Sequence, residues 1–357
     1  MNDILFTPLR FDRGPALKNR ILLAPLTNEQ SNEDGTASQD DFDWIETCAR
    51  AGYSMVMTCA AHVLENGKAF NNQLGIFDDK HEPGLRKIAD IIRKHGGVSS
   101  VQLHHAGMRA QFNGETPNIG PSAIAEYNTR ALALCEVEEL RDAFIEAAAR
   151  AERAGFDGVE LHGAFGWILT QFLSPTLNRR TDRYGGPLEN RVRLIFEIID
   201  GIRKRCRPDF QIGVRFSFER YGQTFEDVYR VCEMLVEEQK IDFLDLVPWD
   251  VKKAVDVGPF AGRKMLEVFS QLCGTSVKVG TSGKVMDAQT LLSVFDYGLD
   301  FIMIGRSAIL NKDFLSQVLS TPDYLSPKTP VTKHHLRQQG LSDAFIKYLA
   351  NWNGFVE

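Results

Sequence analysis

Ser276-Val277-Lys278-Val279-Gly280-Thr281-Ser282-Gly283 and, one repeat further on, Phe301-Ile302-Met303-Ile304-Gly305-Arg306-Ser307 are short β-prone runs that each give way to glycine and polar groups. Glycine at a strand end lets backbone N–H groups come close to an anion, and Arg306 adds a fixed positive fork. Either glycine alone reads equally well as a tight βα turn. Placed together after the last two of a series of βα repeats, they match the phosphate site of an α/β barrel.

Reading outward, the same kind of run recurs. Candidate strands are Ile21 to Ala24, Met55 to Thr58, Val98 to Leu103, Gly158 to Leu161, Gln211 to Phe216, Phe243 to Val247, Ser276 to Val279 and Phe301 to Ile304. Amphipathic segments separate them: Glu136 to Ala154 is rich in Ala, Glu and Arg, Leu188 to Lys204 carries Val192, Ile195, Phe196 and Ile199 at core-facing spacing, and Glu226 to Glu237 follows a cap candidate, Thr224. An open, doubly wound sheet has the same periodicity. Eight repeats without a long polar linker favour a single (β/α)8 TIM barrel of α/β class, with residues 1–357 as one domain. Two excursions break the rhythm, 104–135 after the third strand and 173–186 after the fourth. Long βα loops of this kind lie on the C-terminal face of a barrel, where its chemistry is done.

Composition narrows the function. The 357 residues are 43% hydrophobic and 25% charged, an ordinary globular balance. A net charge of −6 with interspersed signs offers no face for a phosphate backbone, which argues against a nucleic-acid partner. The N-terminus lacks a basic region followed by an apolar run, and no apolar stretch reaches membrane-spanning length, so a cytoplasmic protein is expected. Six dispersed cysteines without a Cys-x-x-Cys pair read as reduced thiols, and neither a metal site nor an iron–sulfur cluster is expected. Oligomeric state is left open.

Polar residues also stand at other strand ends: Thr27 after Ala24-Pro25-Leu26, Gln102 in the third strand, His162 after the fourth and Arg215 in the fifth. A barrel interior is normally filled by Val, Ile and Leu, so these groups need partners or a ligand. As a set they suit a flat heteroaromatic with several acceptors. His62 and His104 are read as loop or surface histidines without a role.

The run Gly158-Val159-Glu160-Leu161-His162, continuing from Gln171-Phe172-Leu173-Ser174-Pro175-Thr176-Leu177-Asn178 through Arg179-Arg180-Thr181-Asp182-Arg183-Tyr184-Gly185-Gly186-Pro187-Leu188-Glu189-Asn190-Arg191, resembles the signature of the Old Yellow Enzyme family. The resemblance takes in Asn19-Arg20, Ala24-Pro25-Leu26-Thr27, Gln102, His105-Ala106-Gly107 and Gly305-Arg306. It implies an FMN-dependent oxidoreductase with non-covalent FMN, NAD(P)H as electron donor and a small-molecule electron acceptor. By the same resemblance Pro25, Leu26, Thr27 and Cys59 line the isoalloxazine, Gln102 pairs with its pyrimidine edge and Arg215 faces N1 and the C2 carbonyl. Ser282, Gly283, Gly305 and Arg306 hold the phosphate. His162 is the catalytic residue that grips the acceptor's carbonyl.

The chain departs from that pattern after the fourth strand, in His162-Gly163-Ala164-Phe165-Gly166-Trp167. Phe165 stands where the family has a second hydrogen-bond donor, and Trp167 where it has the tyrosine that supplies a proton; Met108 replaces an arginine. The substrate pocket is therefore atypical. One reading is altered substrate preference, with Tyr127, Glu29 or water as proton source. A second is transfer to quinones, free flavin or oxygen, which needs no dedicated acid. A third is a flavin-binding barrel with little turnover, or a lyase or isomerase acting on some other phosphate compound. No Gly-x-Gly-x-x-Gly opens a βαβ unit, so nicotinamide has to reach the flavin at the same mouth.

Overall fold

The computed structural model describes residues 3–111, 116–218 and 220–357; residues 112–115 of the first excursion lie outside the described residues. Eight parallel strands close into a barrel: β1 (Ile21–Leu23), β2 (Met55–His62), β3 (Val98–His104), β4 (Gly158–Gly163), β5 (Gln211–Ser217), β6 (Phe243–Val247), β7 (Lys278–Thr281) and β8 (Phe301–Ile304). Each strand pairs with the next in sequence, and β8 returns to β1 through Ile21↔Ile302 and Leu23↔Ile304. Parallel neighbours need a crossover of a dozen residues or more, which the intervening helices supply while covering the outer face.

All eight expected strands are present, with the largest shifts in β2 and β7. β2 continues to His62 past a register slip between Met57 and Ala60, and β7 begins two residues later than expected, at Lys278. The expected helix over 188–204 is two pieces, Leu188–Arg191 and Arg193–Arg205. At the break, Arg191 turns inward to the carbonyls of Leu173 and Gly186 and to Asp227, so tertiary ties override a continuous helix. Thr224 caps Phe225–Glu238 as expected, accepting from the Asp227 N–H.

Side chains alternate across each strand, so every second residue points into the barrel. The inward positions divide the interior into two storeys. At the N-terminal end Leu22, Met55, Met57, Val98, Phe243, Phe301 and Met303 form an apolar plug, closed from below by Leu9 and Leu17. Phe243 and Phe301 meet edge to face at 5.8 Å. Gly213 makes room for them, since a Cβ there would lie 2.1 Å from the Phe243 ring. At the C-terminal end the inward positions are Gln102 and His104 on β3, Glu160 and His162 on β4, Arg215 on β5 and Asp245 on β6, all buried. The plug forces whatever binds here to enter from one side.

Beyond β8 the chain forms the helices Phe314–Ser320, Lys333–Gln338 and Asp343–Leu349. This segment brings Tyr348 and Trp352 to the barrel mouth. No helix among the described residues is long and apolar enough to cross a membrane, and no group of three potential metal ligands occurs among them.

Candidate active site

The C-terminal mouth holds a cavity of about 380 Å³, within the size range of small-molecule sites. All eight strands or the residues directly after them line it, from Ala24 after β1 to Gly305 after β8. Of the residues singled out from sequence, Pro25, Leu26, Thr27, Gln102, His162, Phe165, Trp167, Arg215, Ser282, Gly283, Gly305 and Arg306 meet there. Cys59 does not line it. Its side chain sits in a small recess beside the cavity, next to Thr27, Ala60 and Phe70, where the β2 slip turns Ala60 toward the mouth instead.

Beneath the cavity runs a chain of buried polar groups, in which carboxyls that do not themselves reach the lining back the side chains that do. Gln102 Nε2 donates to Glu160 Oε1 at 2.7 Å, Arg215 Nη1 lies 2.8 Å from Asp245 Oδ2, and Arg215 Nη2 donates to Ser282 Oγ at 3.2 Å. Two carboxyls thus share one guanidinium in a place without solvent. Burial, and then the charge of Asp245, push Glu160 up to about 8, and burial raises Asp245 as well. The arrangement stays near neutral by keeping a proton on the carboxyl pair. Arg215 Nε, Glu160 Oε2 and His162 Nδ1 are buried without a hydrogen-bond partner.

Above the floor stands a cluster of rings. His104 and His162 face each other at 5.6 Å between centroids, and Trp167 packs edge-on against His104 at 4.7 Å. His104 is 1% exposed with both ring nitrogens unpartnered, and His62 is equally buried, its Nδ1 on the Leu64 carbonyl. Neither is the loop or surface histidine expected from sequence. Phe165 adopts φ 58°, its N–H bonded to Ser217 Oγ at 2.9 Å and its carbonyl taken by Arg109 Nη1. The Arg109 guanidinium lies 4.2 Å from the centroid of Trp167 and 5.2 Å from that of Tyr221. Tyr127, a proton source considered above, is 40% exposed and away from the cavity, whereas Tyr221 and Tyr348 line it.

These buried rings set a pH response. Burial lowers His62 to about 4 and His105 to about 3, and holds His104 and His162 well below the usual imidazole value, with Arg215 and Arg109 adding to the effect on His162. The same histidines in the unfolded chain take up protons below about pH 6.5. The unfolded chain then binds more protons than the fold, so stability falls with falling pH, by up to about 1.4 kcal/mol per ring per pH unit. The raised carboxyls act in the opposite sense, because a group held at about 8 keeps in the fold a proton that the unfolded chain has released. In this part of the barrel four such rings stand against two raised carboxyls, Glu160 and Asp245. Urea midpoints measured between pH 7 and pH 5 should therefore drop steadily, and a flat profile would mean that the rings are charged or solvated in the fold.

The long signature run turns out to be scaffolding. Gln171 receives the Met108 N–H and donates to the carbonyls of Ala106 and Gly166, tying the loop after β3 to the loop after β4. Asn178 bridges the carbonyls of Phe172 and Tyr184, at 2.6 and 2.7 Å. Arg180 joins Asp182 to the Pro121 carbonyl across the first excursion. Sequence reasoning missed Arg109, Tyr221, Trp249, Tyr348 and Trp352, all of which line the cavity.

The site fits an FMN. Arg215 Nε and His162 Nδ1 are donors or acceptors awaiting a ligand. At the β7 end, Gly283 has φ 148° and a Cβ there would meet the Pro248 carbonyl at 2.2 Å, so backbone itself borders the cavity beside Arg306. The family model for the NADH:flavin oxidoreductase / NADH oxidase family matches residues 4–321. A probable NADH-dependent flavin oxidoreductase of Bacillus subtilis is 34% identical over 326 residues, 88% of this chain and 87% of the relative. An NADPH dehydrogenase of Bacillus cytotoxicus is 34% identical over 327 residues, 88% and 91% of the two chains. Among solved structures, the old yellow enzyme homologue from Zymomonas mobilis aligns with a TM-score of 0.77 at 25% identity, covering 91% of this chain and 97% of that one.

Proposed function

Since this chain belongs to the NADH:flavin oxidoreductase / NADH oxidase family, of Old Yellow Enzyme type, with FMN as cofactor and NADH or NADPH as electron donor, we propose that it delivers electrons to an electron-poor small molecule, a quinone or an activated alkene, held in the cavity at the barrel mouth. The observation that carries this reading is the convergence of all eight strand ends on one cavity whose floor keeps unpartnered polar atoms. FMN, when bound, would supply a two-electron carrier that accepts a hydride from the dinucleotide and passes the two electrons on. In balance, NAD(P)H, a proton and the acceptor give NAD(P)+ and the reduced acceptor.

Pro25, Leu26 and Thr27 would flank the ring system, with Gln102 and Arg215 beneath its polar edge and Ser282, Gly283, Gly305 and Arg306 at the phosphate. The Arg215 charge favours added negative charge on that edge. His162 is kept neutral by burial and by Arg215 and Arg109, so its N–H can orient an acceptor carbonyl while holding no labile proton near neutral pH. Phe165 adds no donor, but His104 opens toward the same space and can serve as one. Tyr221 and Tyr348 bring phenolic hydroxyls to the cavity wall, where either can protonate a carbon. A quinone makes the smaller demand, since its own potential draws the electrons. We take the described chain as one functional unit, because the segment after β8 returns to wall the cavity.

The protein should purify yellow and release FMN, not FAD, on denaturation. Anaerobic stopped-flow mixing with NADH and with NADPH should bleach it, and a quinone should restore the colour. A flavoprotein that neither dinucleotide reduces would overturn the enzymatic reading in favour of a binding barrel.

A further inference from the structure

We propose that the acceptor is an anion, a carboxylate-bearing quinone or activated alkene, and that Arg109 recognises its charge. The proposal rests on the functional reading above. Among the described residues no Asp or Glu lines the cavity, while four cations do: Arg109, Arg215, Lys284 and Arg306. Three of them have a carboxylate close by. Arg215 pairs with Asp245, Lys284 Nζ lies 3.4 Å from Asp250, and Arg306 feels the Asp250 charge. Arg109 forms no ion pair among the described residues.

Position divides these cations further. Lys284 and Arg306 follow β7 and β8, beside the backbone edge fitted for a phosphate. Arg109 follows β3 and is held by groups from the β4 and β5 loops, so it stands on the opposite side of the closed barrel. One cofactor phosphate cannot serve both ends. At the Arg109 end the guanidinium faces Trp167 and Tyr221 and gives one N–H to the Phe165 carbonyl. A guanidinium has five N–H donors in a planar fork. Aromatic neighbours and a backbone tie fix its plane and leave donors free for a planar, bidentate oxyanion. His104 and His162, buried with unpartnered nitrogens, lie beside the same Trp167. An acceptor with its reducible carbonyl toward these rings and its carboxylate toward Arg109 satisfies both sets.

A phosphate of NAD(P)H is the other source of an oxyanion here, and the experiment separates the two. The holoenzyme, Arg109→Gln and Arg109→Lys are compared in three measurements: reduction by NADH and NADPH, reoxidation by matched neutral and carboxylate-bearing quinones, and calorimetric titration with benzoate against benzamide. The wild type should prefer the charged quinone, and benzoate over benzamide, by about tenfold or more, the worth of one charge-assisted bidentate contact. Arg109→Gln should abolish both preferences, and Arg109→Lys should retain most of each. Equal handling of the matched pairs by the wild type overturns the proposal. Loss of dinucleotide affinity in Arg109→Gln, with the quinone preference intact, assigns the arginine to NAD(P)H and also overturns it. A protein that no dinucleotide reduces defeats the functional reading instead, and the benzoate titration still decides whether the anion site exists.

Discussion

Arg215→Ala should lose stability and FMN together. The guanidinium offsets two fully buried carboxyls, lying 2.8 Å from Asp245 and holding Glu160 down against its burial. Removing one partner of such a pair leaves an uncompensated buried charge and costs about 3–5 kcal/mol. In the apoprotein this reads as a lower urea midpoint. In the holoprotein FMN should bind more weakly and its potential should fall, since the reduced form loses a countercharge. A second substitution separates the two effects: Arg215→Met with Asp245→Asn removes both charges and should recover much of the stability, yet neither the affinity nor the potential. Wild-type potential and affinity in Arg215→Ala would place the arginine in a purely structural pair.

The double variant Phe165→Asn, Trp167→Tyr should raise turnover of simple cyclic enones by about a hundredfold, the usual worth of one oxyanion donor, with little change in reduction by the dinucleotide. The backbone is ready for it. Phe165 sits at φ 58°, a left-handed conformation that asparagine tolerates better than phenylalanine. Both of its backbone bonds, to Ser217 and from Arg109, survive the exchange. Tyrosine at 167 offers the Arg109 guanidinium another aromatic face and adds a hydroxyl that can protonate carbon. The unmodified protein should reoxidise faster with quinones than with cyclohexenone. Rapid cyclohexenone reduction by the wild type would mean that His104 and a cavity tyrosine already replace the missing pair.

The barrel could be read from sequence because each strand is a short run of β-prone residues between helices of clear amphipathic period. The strand-end residues could be read because a buried Gln, His or Arg is costly without a partner. His104 was misread for a reason that alternation corrects: Gln102 points inward, and a strand has period two, so His104 must point inward as well. Arg109 gave no such signal, lying beyond β3 where no period applies. Tyr348 and Trp352 were invisible because their place depends on how a string of short helices folds back, which local pattern does not encode. The signature run was legible as a mark of kinship but not as scaffolding, since its hydrogen bonds go to backbone carbonyls that any sequence possesses.

The aromatic wall from Tyr348 and Trp352 bears on the order in which the protein is made. Chains emerge from the ribosome N-terminus first, and domains form as their segments become available. Every barrel strand and both rings of the Phe243–Phe301 plug precede the wall in the chain, so they leave the ribosome before it. A barrel that closes as its strands emerge would do so with this side of its rim open. The helix Asp343–Leu349 then closes that side, so the mouth is completed only after the strands beneath it.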